Sequence, residues 1–196
     1  MTSEEAIKQF LKNRVEVSEQ EADVFAQAFR EKKLRRKQLV VQPGFLTKHR
    51  YYVVDGVLRS FITDDSGQET TIALAVKDWW ITDYNSFIYQ QPATLFVEAL
   101  TNATVLQLSY EDEQKLKTAN PKYETFFRIV AERGLAAQQR RIITGLTQSA
   151  EQRYESFVER YPEFLHDIPQ YILASYLGMS TEFLSRIRNN RVSKKG

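Results

Sequence analysis

Residues 170–189 read Gln-Tyr-Ile-Leu-Ala-Ser-Tyr-Leu-Gly-Met-Ser-Thr-Glu-Phe-Leu-Ser-Arg-Ile-Arg-Asn, and their spacing predicts two helices joined by a tight turn. Gly178 supplies the turn, because glycine adopts a positive φ without a Cβ clash. Ser180 follows at the distance needed to cap a second helix that begins near Thr181. The segment is typical of a helix-turn-helix that reads DNA, and an ordinary helical hairpin is the alternative. The first helix would place these apolar side chains on one face, beside the small Ala174: Ile172, Leu173, Tyr176 and Leu177.

The second predicted helix has an apolar face and a polar face. The apolar face carries Phe183, Leu184 and Ile187. Arg186 is suited to guanine O6 and N7, and Glu182 to cytosine N4. The polar face would meet the major groove. The basic residues that follow Arg186 in the chain, including Lys194 and Lys195, are suited to contacts with DNA phosphates. We expect these residues to bind DNA: Ser180, Thr181, Glu182, Ser185, Arg186, Arg188, Asn189 and Arg191.

The composition is that of a folded, water-soluble protein. The chain has 196 residues, of which 42% are hydrophobic, and a formal net charge of +2. That charge is too small to indicate nucleic-acid binding, so the argument depends on where the basic residues lie. The absence of cysteine excludes disulfides, thiol catalysis and iron–sulfur sensing. No apolar run approaches the roughly 18 residues of a membrane helix, and no signal sequence is evident, so we expect a cytoplasmic protein without membrane contact.

The remaining chain divides into a short helical part and a strand-rich part. Capping-box patterns at residues 2–5 and 18–21 predict short peripheral helices in a helical zone that extends to about residue 36. The basic run 32–37 indicates a charged sheet edge or, alternatively, a second DNA contact. Turn signals then separate short β-branched and aromatic runs, which predicts an antiparallel sandwich or roll. The runs are 39–41, 51–54, 57–62, 70–76, 95–100 and 105–108.

A long helix is predicted after Asn120-Pro121 and ends near Leu146. Its apolar stripe consists of Phe127, Ala131, Leu135, Ile142 and Leu146. The stripe either packs on the chain's own β-domain or pairs with the same helix of a second subunit. We favour the pairing, because helix-turn-helix proteins usually bind paired half-sites as dimers.

Four stretches carry a resemblance that spans nearly the whole chain: Tyr-Tyr-Val-Val-Asp-Gly-Val-Leu-Arg at 51–59, Asp-Ser-Gly-Gln-Glu at 65–69, Asp-Trp-Trp at 78–80 and Val-Glu-Ala-Leu at 97–100. With the order of elements, they make the chain similar to the Crp/Fnr transcription regulators. The resemblance implies an α+β fold: a jelly-roll effector domain of the cyclic-nucleotide-binding type at 1–119, a dimerisation helix at 120–147 and a DNA-binding domain at 148–196. It also implies a homodimer on an inverted repeat of double-stranded DNA, with RNA polymerase as a further partner.

The sequence departs from that family at two places. The nucleotide-binding positions, Gly-Glu and Arg-Ser in the family, read Ile81-Thr82 and Ala93-Thr94 here. Without the phosphate-binding arginine, we expect cyclic AMP to bind weakly or not at all. The wing that often follows the recognition helix is truncated. Another small-molecule effector would use a pocket formed by Trp79, Trp80, Thr82, Asp83, Tyr84 and Thr94, and plain packing is the alternative for the tryptophans.

An enzyme is not expected. The two histidines, His49 and His166, lie far apart in the sequence, so the clustered imidazole ligands of a metal-holding roll cannot form in one protomer. No phosphate loop or nucleophile elbow is evident. The function predicted is a dimeric, sequence-specific transcription regulator with a degenerate nucleotide pocket. The alternative is a small-molecule binding module that has lost DNA recognition.

Overall fold

The computed structural model describes residues 1–193, without the side chains of Glu163 and of residues 191–193. The amino-terminal part contains α1 (Ser3–Lys12), α2 (Glu19–Gln27), β1 (Arg30–Leu34), β2 (Leu39–Val41), β3 (His49–Asp55), β4 (Leu58–Thr63), β5 (Glu69–Ala75), β6 (Trp80–Ile81), α3 (Tyr84–Tyr89), β7 (Phe96–Ala99) and β8 (Ala103–Ser109). The carboxyl-terminal part contains α4 (Tyr110–Ala119), α5 (Pro121–Thr147), α6 (Ala150–Arg160), a 3-10 turn (Pro162–Phe164), α7 (Gln170–Leu177) and α8 (Thr181–Ser193).

The strands form two antiparallel four-stranded sheets, with the orders β1-β8-β3-β6 and β2-β7-β4-β5. Side chains from both sheets meet in one core, which includes Val53, Leu58, Val97 and Val105, all fully buried. Gly56 closes the turn between β3 and β4 at φ +87°, where a Cβ would lie 2.7 Å from the Asn102 carbonyl oxygen. This roll, followed by a long helix, confirms the predicted α+β class.

The amino-terminal helices are not peripheral, which corrects the prediction. Ile7, Leu11 and Phe25 are fully buried in a core that also holds Phe126 of α5. The predicted helical zone is also too long, because residues 30–34 form β1, an edge strand. The prediction was wrong because the charged run Arg-Glu-Lys-Lys carries no alternating apolar pattern. The two capping boxes at Thr2 and Ser18 are present as predicted.

Helix α5 is the long helix that Asn120-Pro121 predicted. The Asn120 side chain accepts a hydrogen bond from the Lys122 amide at 2.9 Å, and Pro121 occupies the first turn. Its first turns bury Phe126 and Phe127 against the roll, whereas Leu135 is 71% exposed and Leu146 is 82% exposed. Of the five residues of the predicted stripe, Phe127 therefore packs within the chain, whereas Ala131, Leu135, Ile142 and Leu146 are exposed.

Helices α6, α7 and α8 enclose a second core that continues into the roll. Leu173 and Leu184 are buried there with Leu74 of β5 and Leu100, which follows β7. The amide of Thr71, on β5, donates to the Ser175 hydroxyl of α7 at 2.9 Å. Helix α7 thus lies against β5, the edge strand of its sheet. Within residues 1–193, none of the helices is long and apolar enough to span a membrane.

Candidate nucleic-acid interface and effector region

The turn between α7 and α8 depends on Gly178. Its backbone adopts φ +67°, a left-handed conformation that side chains with a Cβ disfavour. The Met179 amide donates to the Ala174 carbonyl at 3.0 Å, which closes the end of α7. A Cβ at Gly178 would meet no atom within 4 Å. The turn therefore requires glycine for its backbone conformation and not for space.

Helix α8 begins at Thr181, as predicted. The Ser180 hydroxyl accepts a hydrogen bond from the Phe183 amide at 3.2 Å and caps the helix. Leu184 and Ile187 are buried against α7, which turns the polar side of the helix outward. Glu182, Arg186, Arg188 and Asn189 are exposed together with Ser180, whereas Thr181 and Ser185 are half-buried. The side chain of Arg191, and Lys194 and Lys195, lie outside the described residues.

Two exposed side chains of this surface have local partners. Hydrogen bonds from its own backbone amide and from Ser180 lower the pKa of Glu182, so it is an ionised acceptor at neutral pH. The guanidinium carbon of Arg186 lies 5.1 Å from the centre of the Phe183 ring. Both groups project from the first turns of α8, where a helix lying in a groove would meet base edges.

Two arginines that sequence reasoning missed hold α7 in place. Arg153, on α6, donates to the Leu177 carbonyl at 2.8 Å and to the Gly178 carbonyl at 3.3 Å. Arg141, on α5, donates to the Ile72 carbonyl and, at 3.1 Å, to both the Thr71 and Tyr176 carbonyls. In the sequence both appeared only as charged residues, because their acceptors are backbone atoms of distant segments.

The predicted effector region contains a buried, fully bonded carboxylate. Asp83 is 1% exposed, and its side chain accepts hydrogen bonds from the amides of Ser86, Thr94 and Leu95 at 2.8–3.2 Å. The Thr94 hydroxyl adds a fourth donor at 3.3 Å. The acceptor sites of Asp83 are thus engaged by the protein itself, and the carboxylate caps α3.

The other residues of that predicted pocket point to different places. Thr82 donates to the His49 carbonyl at 2.9 Å. Trp80 packs between the roll and α5, where its indole N–H has no acceptor. The Trp79 ring lies 5.9 Å from the Tyr161 ring and lines a small cavity of about 10 Å³ between the roll and the α6–α8 unit. The structure brings Asp83 and Thr94 together but not the two tryptophans.

Residues 31–120 match the family described as Cyclic nucleotide-binding domain. No curated protein matches the chain in sequence. Among solved structures, FixK2 from Bradyrhizobium japonicum matches with a TM-score of 0.74 at 15% identity, covering 85% of this chain and 86% of that one. The chain has the Crp/Fnr fold.

Two further solved structures, both from Thermus thermophilus, also match the chain. A transcriptional regulator of the Crp/Fnr family has a TM-score of 0.66 at 18% identity, over 85% of this chain and 87% of that chain. The catabolite activator protein has a TM-score of 0.56 at 20% identity, over 91% and 85%. At such identities the likeness establishes the fold, as the resemblance predicted. The described residues contain no group of three or more potential metal ligands.

Proposed function

We propose that this chain is a dimeric, sequence-specific DNA-binding transcription regulator. The observation that carries the proposal is helix α8, whose apolar side is buried while Glu182, Arg186, Arg188 and Asn189 are exposed together. An exposed arginine near the start of such a helix can donate two parallel hydrogen bonds to guanine, a contact worth about 1–3 kcal/mol of discrimination. The exposed residues that follow it are suited to phosphates.

The second support is the uncovered apolar side of α5. Leu135, Ile142 and Leu146 are 71%, 62% and 82% exposed and recur along one side of the helix. Pairing with the α5 helix of a second copy would bury them and present two α8 helices about 34 Å apart, which fits an inverted repeat with half-sites one DNA turn apart. RNA polymerase is the further partner that the resemblance implies.

The structure of the roll supports a regulator that is controlled by an effector other than cyclic AMP or that works without an effector. Asp83 is already bonded to four donors, and none of the described lysines or arginines forms an ion pair with it. Ala93, at the position of the family's phosphate-binding arginine, is 4% exposed and has no charged group to offer a phosphate. A buried phosphate without a cation is costly.

Selection of bound sequences from random duplex DNA, at one stated salt concentration, tests the proposal. We expect the wild type to enrich an inverted repeat and Arg186→Ala to lose the preference at one base pair of each half-site. Arg30→Ala, which removes an exposed arginine of β1 outside the basic run 32–37, is the matched control and should enrich the wild-type repeat. Equal enrichment by wild type and Arg186→Ala would refute the readout role of Arg186, and no enrichment by the wild type would favour a sensing module without DNA recognition.

A further inference from the structure

A cleft of about 330 Å³ opens between β2, β3 and the loop that joins them. Its volume is within the range of small-molecule sites. None of the six residues predicted to form the effector pocket lines it. The cleft is therefore separate from the Asp83–Thr94 region where the family's nucleotide contacts would lie.

The lining of the cleft combines apolar and polar side chains. Leu39, Val41 and Phe45 belong to the apolar group, and Phe45 is 70% exposed although it is a large aromatic residue. Thr47, Lys48 and His49 belong to the polar group. None of the residues that line the cleft carries a carboxylate. Such a lining favours a ligand with an apolar body and one acidic group.

Thr47 supplies an independent sign of a missing ligand. The residue is 5% exposed, and its hydroxyl is buried without a hydrogen-bond partner. A buried hydroxyl normally finds a partner, because leaving it unpaired is costly. The hydroxyl is closed off from solvent in this side-chain conformation, so a ligand oxygen in the cleft would provide that partner after a rotation of the Thr47 side chain about χ1.

Among the polar residues that line the cleft, Lys48 carries the positive charge. It is exposed and makes no ion pair with the described residues. Burial, and after it the charge of Lys32, lowers the pKa of His49; Glu111 opposes this shift, and Lys48 lowers the pKa further by a smaller amount. His49 is thus neutral at pH 7 and can donate or accept one hydrogen bond. One cation and two neutral polar groups match a single carboxylate.

We infer that this cleft binds a small organic monoanion, a carboxylate with an apolar tail, with the carboxylate at Thr47 and Lys48 and the tail along Leu39, Val41 and Phe45. The inference stands independently of DNA recognition.

The wall of the cleft is connected to the neighbouring α3 region. The Gly44 amide donates to the Ala93 carbonyl at 2.9 Å, and the Ala93 amide returns a bond to Phe45 at 2.9 Å. The Thr47 amide donates to the Ser86 hydroxyl of α3 at 2.9 Å. A bound carboxylate would therefore contact a segment that is hydrogen-bonded to Ser86 and Ala93, so its binding is expected to shift amide resonances of residues 83–95 as well as those of residues 39–49.

Octanoate is the probe, and the neutral octanamide is its control for charge. Both are titrated into the full ¹⁵N-labelled chain and followed by amide resonances. Octanoate should give saturable shifts confined to residues 39–49 and 83–95, and octanamide should bind at least about fivefold more weakly, because the amide forms no ion pair with Lys48. Equal binding of both compounds, or shifts restricted to other segments, would overturn the assignment.

Three variants locate the carboxylate. Lys48→Gln should weaken octanoate about fivefold by removing the cation, and Lys77→Gln, which changes an exposed lysine on the β5–β6 turn, should not. Thr47→Val should weaken octanoate by a similar factor, and it should leave Tm equal or higher because it removes an unpaired hydroxyl. If Thr47→Val binds octanoate as the wild type does, or if Lys77→Gln weakens it as much as Lys48→Gln, the cleft does not hold the carboxylate as inferred.

Discussion

The guanidinium of Arg141 and the carbonyl oxygen of Tyr176 lie 3.1 Å apart, and the same guanidinium lies 4.5 Å from the Tyr176 ring. This pair joins the long helix α5 to α7. Because Arg141 also donates to the Thr71 and Ile72 carbonyls of β5, one side chain connects three parts of the molecule. The position of the α7–α8 unit on the roll thus depends on a cation that bonds backbone oxygens.

Replacement of Arg141 by alanine should loosen this junction. Hydrogen bonds from a charged donor contribute about 1.5–3 kcal/mol, so we expect a loss of about 2 kcal/mol in unfolding free energy. In a Trp80→Phe background, which leaves Trp79 as the remaining tryptophan, the emission of Trp79 should shift to the red as its contact with Tyr161 opens. Arg133→Ala, at an exposed arginine of the same helix, should leave both readouts unchanged. An unaltered Trp79 spectrum in Arg141→Ala would show that the junction does not need this side chain.

A charge on the exposed side of α5 should abolish dimer formation. Leu135→Glu places a carboxylate where two helices would pair, and burying it would cost several kcal/mol. Because Leu135 is 71% exposed, the fold of one chain should be unaffected. Sedimentation should report a dimer for the wild type and a monomer for Leu135→Glu, with DNA affinity reduced. Ala136→Glu, about a quarter of a turn away, is the control and should remain dimeric. A wild-type monomer at micromolar concentration would contradict the pairing.

The contact between α2 and α5 should weaken in acid. Lys122, the Ser18 amide and Asn120 together lower the pKa of Glu21 to about 2, from 4.5 for the free side chain. A lowered folded-state pKa means that the unfolded chain takes up the proton first, so the stabilisation present above pH 4.5 is lost as the pH falls towards 2. In urea unfolding at pH 6 and pH 3, wild type should lose more stability than Glu21→Gln. Glu19→Gln, at an exposed position of the same helix, is the control and should retain the wild-type pH dependence of stability. If Glu21→Gln also retained it, ionised Glu21 would not stabilise the α2–α5 contact.

Cyclic AMP should leave the tryptophan fluorescence unchanged up to millimolar concentration. Asp83 accepts four internal hydrogen bonds, and Thr82 is engaged with the His49 carbonyl, so neither is free for a ribose or a phosphate. A saturable change with cyclic AMP at micromolar concentration would show that the pocket rearranges to admit it.

Much of the fold was predictable because its signals are local. The turn at Gly178, the cap at Ser180 and the start of α5 at Asn120-Pro121 each depend on a few neighbouring residues, and each lies where the sequence indicated. The short strands followed from β-branched runs between turn residues. Strand β1 was missed because it has no local signal: its charged residues show no apolar alternation. They are extended because they pair with the distant strand β8.

The predicted site was local only in part. The exposed side of α8 follows from helical periodicity, so its residues were identifiable before their surroundings were known. The arrangement of the effector region could not be identified in this way, because adjacent residues in an extended chain point to opposite faces. Trp79 and Trp80 are neighbours in the chain, yet one contacts Tyr161 and the other packs against Phe126.

The sequence by itself determined the caps of α1, α2, α5 and α8, the turn at Gly178 and the polar surface of α8, because short-range hydrogen bonding and periodicity specify them. Only the tertiary structure decided what the buried polar side chains do. Arg141 and Arg153 bind backbone carbonyls from segments 24 to 70 residues away, Asp83 is satisfied by residues 3 to 12 positions along, and the Thr47 hydroxyl is left unpaired at a cleft. Every residue carries a backbone carbonyl acceptor, so the residue types alone do not indicate which carbonyl a given side chain will reach.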